Sequence, residues 1–197
     1  MNRENKHLPS LNSRRDFLKV SSILLASGIL TTASAKKIDI EKLFAFKNET
    51  KRLHLYSVNS KKIIDIEYYE NGKYIKEGLH QIYKLMADRR TGEVATIDNQ
   101  IIESMYEVQT KLNTSKPISI LSGYRSLETN ANMALHSDGV STNSYHTKGK
   151  AVDLYVQGIS IHEIHGMINK IHTGGIGYYP TSGFVHMDAG PSRTWRG

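Results

Sequence analysis

From Arg52 to Val58, and again from Lys62 to Tyr69, β-branched and aromatic residues are interleaved with polar ones, the pattern of strands with one buried face. Glu70-Asn71-Gly72-Lys73 then supplies turn chemistry before Tyr74 and Ile75, so this region is predicted to form a hairpin. The period next becomes helical. Leu79, Ile82, Tyr83, Leu85 and Met86 make one stripe; Ile101, Ile102, Met105, Tyr106, Val108 and Leu112 make a second, behind Asp98, a residue suited to cap a helix. Asp88-Arg89-Arg90-Thr91-Gly92 links the two. Pro117 to Ser122 alternates and stops at Gly123, which predicts a central strand delivering Tyr124 and Arg125 at its mouth.

A helix is expected from Ser126 to Leu135, followed by a loop rich in Ser, Asn and Gly that runs to Tyr145 and carries His136 and Asp138, either of which could line a cleft. Ala151 to Val156 reads as a strand with Ala151, Asp153 and Tyr155 on one face and Val152 and Leu154 on the other. Ser160-Ile161-His162-Glu163 is a capping box opening a helix whose Ile161, Ile164, Ile168 and Ile171 share a stripe, which puts His162 and His165 on a flanking, solvated face. Strands over Gly174 to Tyr179 and Phe184 to Asp188, joined by Pro180-Thr181-Ser182-Gly183, complete the pattern. In the last of them Phe184, His186 and Asp188 lie on one side.

The first 35 residues follow a different logic. Ser13-Arg14-Arg15-Asp16-Phe17-Leu18-Lys19 precedes an apolar run from Val20 to Leu30, and Ala33-Ser34-Ala35 offers the small residues of a cleavage site. This predicts a twin-arginine export signal over 1–35, a periplasmic destination, and one mature domain over 36–197 that opens on a lead-in segment from Lys36 to Thr50. The apolar run is well short of the ~20 residues that span a bilayer, so no stable membrane span is expected after processing. Cleavage would remove five of the 26 Lys and Arg and two of the 19 Asp and Glu, lowering the net charge from +7 to +4. That balance suits a polyanionic envelope, but no aromatic-interleaved basic patch marks a nucleic-acid binder. With no cysteine, disulfides, thiolate nucleophiles, cysteine zinc knuckles and lipoprotein acylation are excluded, and any metal must be held by His, Asp or Glu. Ser-x-x-Lys occurs only at Ser34 to Lys37, across the expected cleavage site, which removes a penicillin-binding type of serine chemistry.

Two stretches carry the candidate chemistry. In Ser144-Tyr145-His146-Thr147-Lys148-Gly149-Lys150-Ala151-Val152-Asp153-Leu154 the chain can turn at Gly149 and bring His146 and Asp153 to one point, and His186 in Phe184-Val185-His186-Met187-Asp188 can approach from a neighbouring strand. Two imidazoles and one carboxylate are what a single catalytic zinc ion (Zn2+) requires if its fourth position is left to water. Arg125 is a candidate to grip a substrate carboxylate or stabilise an oxyanion, with pairing to a structural carboxylate as the competing role. Tyr124 and Ser144 are candidate substrate contacts, although Tyr124 also suits packing, and Ser122 reads as a strand-end hydrogen-bonding group.

In order, Ser122-Gly123-Tyr124-Arg125-Ser126, Ser144-x-His146-x-x-Gly149-x-Ala151-x-Asp153-Leu154 and Phe184-Val185-His186-x-Asp188-x-Gly190 resemble the M15 metallopeptidases, most closely their branch of periplasmic murein endopeptidases. The likeness extends to the early hairpin with Tyr68 and Gly72 and to the helix start at Ile97-Asp98. It implies a small single α+β domain with a central antiparallel sheet flanked by helices and the zinc site on that sheet. It further implies His146, Asp153 and His186 as ligands and the peptide crosslinks of peptidoglycan as substrate, cut at a D-configured centre in D,D- or L,D-fashion. Many M15 enzymes carry a glutamate or histidine two, three or five residues before the last ligand; here Phe184, Gly183 and Thr181 stand there. Asp188 is therefore the candidate for general base or for a group that orients His186. The competing functional class is a non-catalytic peptidoglycan-binding module that retains zinc as a structural element. The chain is expected to act as a monomer on stem peptides.

Overall fold

The computed structural model describes residues 49–137 and 139–197. The segment expected to be an export signal, nearly all of the expected lead-in segment and Asp138 lie outside the described residues.

β1 (Thr50–Ser57) and β2 (Ile63–Glu70) form the expected hairpin, and β2 continues into β3 (Lys73–Tyr74). Asn71 and Gly72 both adopt positive φ, 52° and 82°, as a two-residue turn between twisted strands requires. The helical stripes become α1 (Lys76–Leu85) and α2 (Asn99–Leu112), the latter capped by Asp98, whose side chain accepts from the Gln100 N–H. β4 (Ile118–Ser122) leads to α3 (Leu127–His136), capped by Ser126, so that His136 ends a helix rather than lying in the loop. A 3-10 turn (Tyr145–Lys148) precedes β5 (Ala151–Val156); α4 (Ile161–Ile171), β6 (Gly175–Tyr179), β7 (Phe184–Asp188) and a final β8 (Arg193–Arg196) follow.

The eight strands form one sheet in the order β3-β2-β1-β4-β5-β7-β6-β8. It is mixed, which corrects the expectation of an antiparallel sheet: β1 pairs with β4, and β6 with β8, in parallel. The reason is connectivity. Between β1 and β4 the chain passes through β2, β3 and two helices, a crossover long enough to return it in its original direction. After β7, the turn at Ala189–Ser192 reverses the chain again and lays β8 along the free edge of β6. Helices α2 and α4 pack on each other and on the central strands, and α1 packs on β2. Between them lies the core: Leu53 and Leu55, Ile118 and Ile120, Val152 and Leu154, Val185 and Met187, closed by Ile101, Met105, Val108, Ile164 and Ile168. Burying each aliphatic side chain of this size is worth about 1.5–3 kcal/mol relative to exposure. Because period two sends Val152 and Leu154 into the core, it turns Asp153 to the opposite face, where the cleft lies.

The α1–α2 link is held by one carboxylate. Asp88, only 2% exposed, accepts the backbone N–H of Arg90 (2.7 Å) and of Thr91 (3.1 Å) on Oδ1, and that of Ser126 (2.7 Å) on Oδ2. Burial alone would raise its pKa, but these N–H donors outweigh it and hold the carboxyl well below the ordinary range. A depressed folded pKa gives stability that is present above the unfolded value of about 4 and is lost as pH falls toward the folded one. Asp88→Asn turns an amide N–H₂ toward one of these donors. It is expected to cost about 1–3 kcal/mol at neutral pH and to flatten the acid limb of the stability curve, which denaturant melts from pH 7 to pH 2 would report.

Candidate metal centre

β5 and β7 are adjacent and antiparallel in a register that sets Asp153 directly opposite His186. The third group comes from the 3-10 turn. Ser144 caps it, its Oγ accepting the His146 N–H at 3.3 Å, and Gly149 ends it at φ 64°; a side chain there would also collide with the Thr96 carbonyl. The turn thereby lowers His146, 2% exposed, onto the strand pair. His146 Nε2 lies 3.3 Å from Asp153 Oδ1 and 3.3 Å from His186 Nδ1, and His186 Nδ1 lies 2.8 Å from Asp153 Oδ1.

These three atoms form a triangle whose donors all lie within 4.8 Å of one another. Tetrahedral ligands on bonds of ~2.0 Å are ~3.3 Å apart, so the set fits one zinc-sized ion. Each donor's outer atom is also engaged. His146 Nδ1–H donates to the Gly123 carbonyl at 2.6 Å, which can only accept and so leaves the Nε2 lone pair facing inward. His186 Nε2–H donates to Asp188 Oδ2 at 3.0 Å, which turns Nδ1 inward. Asp153 accepts Arg125 Nη2 at 3.1 Å on Oδ2, which leaves Oδ1 for the centre. Partners of this kind fix ligand orientation and basicity in metal sites.

The electrostatics match that division for His146 and Asp153, whereas at His186 the two neighbouring carboxylates favour the protonated ring, which an ion would have to displace. Burial lowers the His146 pKa against the pull of Asp153, which favours the neutral imidazole a metal needs. Burial would push Asp153 up, but His146 and His186 hold it well below the carboxylate range. Burial would lower His186 too, yet its hydrogen bonds to Asp153 and Asp188 raise it. Asp188 is likewise depressed: burial opposes ionisation but is outweighed by His186, Arg193 and the Gly190 N–H, the last at 2.8 Å.

The centre opens into a cleft of about 920 Å³ lined by Arg125, Tyr124, Ser144 and Trp195 among others, within the range of sites that enclose a small ligand. Arg125 donates Nε–H to Ser122 Oγ (3.0 Å), Nη1–H to Asn130 Oδ1 (3.5 Å) and Nη2–H to Asp153, so two of its five N–H donors have no acceptor among the described residues. The Tyr124 hydroxyl donates to Glu93 Oε1 at 2.9 Å. His162 and His165 are not members of the triangle: they lie against the Tyr178 ring.

Three groups at the site carry no motif in the sequence. Arg193 forks onto both oxygens of Asp188, and Trp195 approaches the His186 ring at 5.2 Å. His172 donates Nε2–H to the Asp188 carbonyl at 2.9 Å while Nδ1 accepts from Ser104 Oγ at 2.8 Å, which pins the end of β7. The lone tryptophan beside a basic residue was the available signal for β8.

The family described as peptidoglycan L,D-endopeptidase MepK matches residues 45–195. Over 183 residues the chain is 33% identical to the peptidoglycan L,D-endopeptidase MepK of Escherichia coli (strain K12), covering 93% of this chain and 97% of that one. Over 188 residues it is 32% identical to the probable peptidoglycan L,D-endopeptidase MepK of Haemophilus influenzae, covering 94% and 96%. No solved structure matches the chain.

Proposed function

Because this chain belongs to the M15 peptidase family described as peptidoglycan L,D-endopeptidase MepK, we propose that it hydrolyses peptide crosslinks of peptidoglycan between an L- and a D-configured centre, using one zinc ion held by His146 Nε2, Asp153 Oδ1 and His186 Nδ1. The observation that carries this reading is the donor triangle itself, with every outer atom already committed to a partner. The chemistry such an ion supplies is Lewis-acid activation of water and of the scissile carbonyl.

The chain's own residues divide the remaining work. Asp188 orients His186 rather than acting as general base: its two oxygens already accept from His186, Arg193 and Gly190, and its side chain is fully buried. Arg125 fixes Asp153 and turns its remaining N–H donors to the substrate, where they serve a carbonyl oxygen gaining charge or a stem-peptide carboxylate. Ser144 contributes chiefly as the cap that seats His146, and Tyr124 as a wall of the cleft. A twin-arginine signal over 1–35 would deliver the folded domain to the periplasm, where its substrate lies.

Crosslinked sacculi digested by the purified protein test this directly. Soluble muropeptides are expected, absent with chelator and restored by added zinc, and mass spectrometry of the products would identify an L,D bond as the one cut. Protein that pellets with sacculi and releases nothing under zinc would instead establish the non-catalytic binding module.

A further inference from the structure

We infer that Arg193 is a positioning residue for the metal centre: its fork on Asp188 fixes the carboxylate that keeps Nδ1 of His186 turned toward Asp153 and His146. The inference rests on the metal-site reading above and extends it to a residue that makes no hydrogen bond to any of the three donors.

Arg193 Nη1 donates to Asp188 Oδ1 at 3.0 Å and Nη2 to Oδ2 at 2.6 Å, a bidentate pair that sets both the position and the plane of the carboxylate. Asp188 is fully buried, whereas the Arg193 side chain is 42% exposed, so the charge compensation of a buried group reaches it from the protein surface. The guanidinium is itself seated: it lies 5.3 Å from the Tyr145 ring and 5.0 Å from the Trp195 ring, and Trp195 Nε1–H donates to the Tyr179 hydroxyl at 2.8 Å. Pairing of β8 with β6 sets Arg193 beside Gly175 and Trp195 beside Gly177, where a Cβ would meet the indole at 2.7 Å. The last strand thus opens on a packed seat for one arginine.

What the fork controls is a choice between two ring orientations. A flip of His186 about χ2 would put Cδ2 where Nδ1 stands and remove a donor from the triangle. The Nε2–H bond to Asp188 opposes that flip only while the carboxylate stays in place. Without Arg193, Asp188 keeps His186 and Gly190 as donors but loses its counter-charge, and turning toward the vacated, solvated space becomes the available relief.

The test compares wild type, Arg193→Ala, Arg193→Lys, Asp188→Asn and the Asp188→Asn/Arg193→Ala double variant. Zinc affinity is measured by chelator competition, and histidine ring protons and nitrogens by long-range NMR correlation on the zinc-loaded protein. Arg193→Ala is expected to weaken zinc binding by about 10–100-fold and to expose the protected Nε2–H of His186 to solvent exchange. Arg193→Lys, which keeps the charge but not the fork, should recover part of the affinity. The double variant should be no weaker than Asp188→Asn alone, since Arg193 acts through Asp188. Melting of the metal-free proteins separates a general loss of stability, which would leave affinity per folded molecule unchanged and count against the inference. Zinc binding by Arg193→Ala within twofold of wild type, or losses that simply add in the double variant, would overturn it. A wild-type protein that binds no zinc would overturn the site reading first, and this inference with it.

Discussion

Replacing His186 with alanine is expected to abolish crosslink cleavage, with kcat/KM falling by about 10³-fold or more, because the several kilocalories that a held ion contributes to the transition state are lost with one of its three donors. His186 faces Asp153 across the β5–β7 register and touches both other donors, so its truncation removes one corner of the triangle. The fold should survive. The core of Val152, Leu154, Val185 and Met187 lies on the other face of the same strands, and His186 contributes nothing to it. Circular dichroism near wild type, zinc content close to zero and absence of muropeptide release are the expected results together. Full activity in this variant would remove His186 from the centre.

Asp188→Asn carries the second largest effect and decides between two roles for that carboxylate. As an orienting group, its loss should weaken zinc binding by about 10–100-fold while turnover recovers in excess zinc. As a general base, its loss would leave zinc content normal and turnover depressed at every zinc concentration. The first result is expected, because the His186, Arg193 and Gly190 contacts already occupy both oxygens, and neither faces the donor triangle. The substitution also breaks a charge pair with a partly exposed partner, so melting of the metal-free variant should accompany the titration to separate stability from affinity.

The clustering of His146, Asp153 and His186 was legible because these residues lie where local patterning is strongest. Alternation along Ala151–Val156 and Phe184–Asp188 places Asp153 and His186 on the faces opposite their aliphatic neighbours, and the Gly149 turn marks where His146 folds back. The roles of the surrounding groups were less legible, since a hydrogen bond between distant residues leaves no period. Arg125 was read toward substrate with a structural carboxylate as the competing partner, and which carboxylate that is, Asp153, had no signal in the sequence; nor did the cap that Ser144 Oγ provides to the 3-10 turn. The same limit hid the parallel pairing of β1 with β4, because alternation defines a strand's faces but not its neighbour's direction. β8 escaped for a different reason: a four-residue run of Arg, Thr, Trp and Arg is too short to show a period.

Anomalous scattering at the zinc edge, from crystals of the zinc-loaded protein, tests the central claim most directly. One peak per chain is expected, ~2 Å from His146 Nε2, His186 Nδ1 and Asp153 Oδ1, and no such peak in His186→Ala. A peak elsewhere on the protein, or zinc bound equally well by the variant, would contradict it.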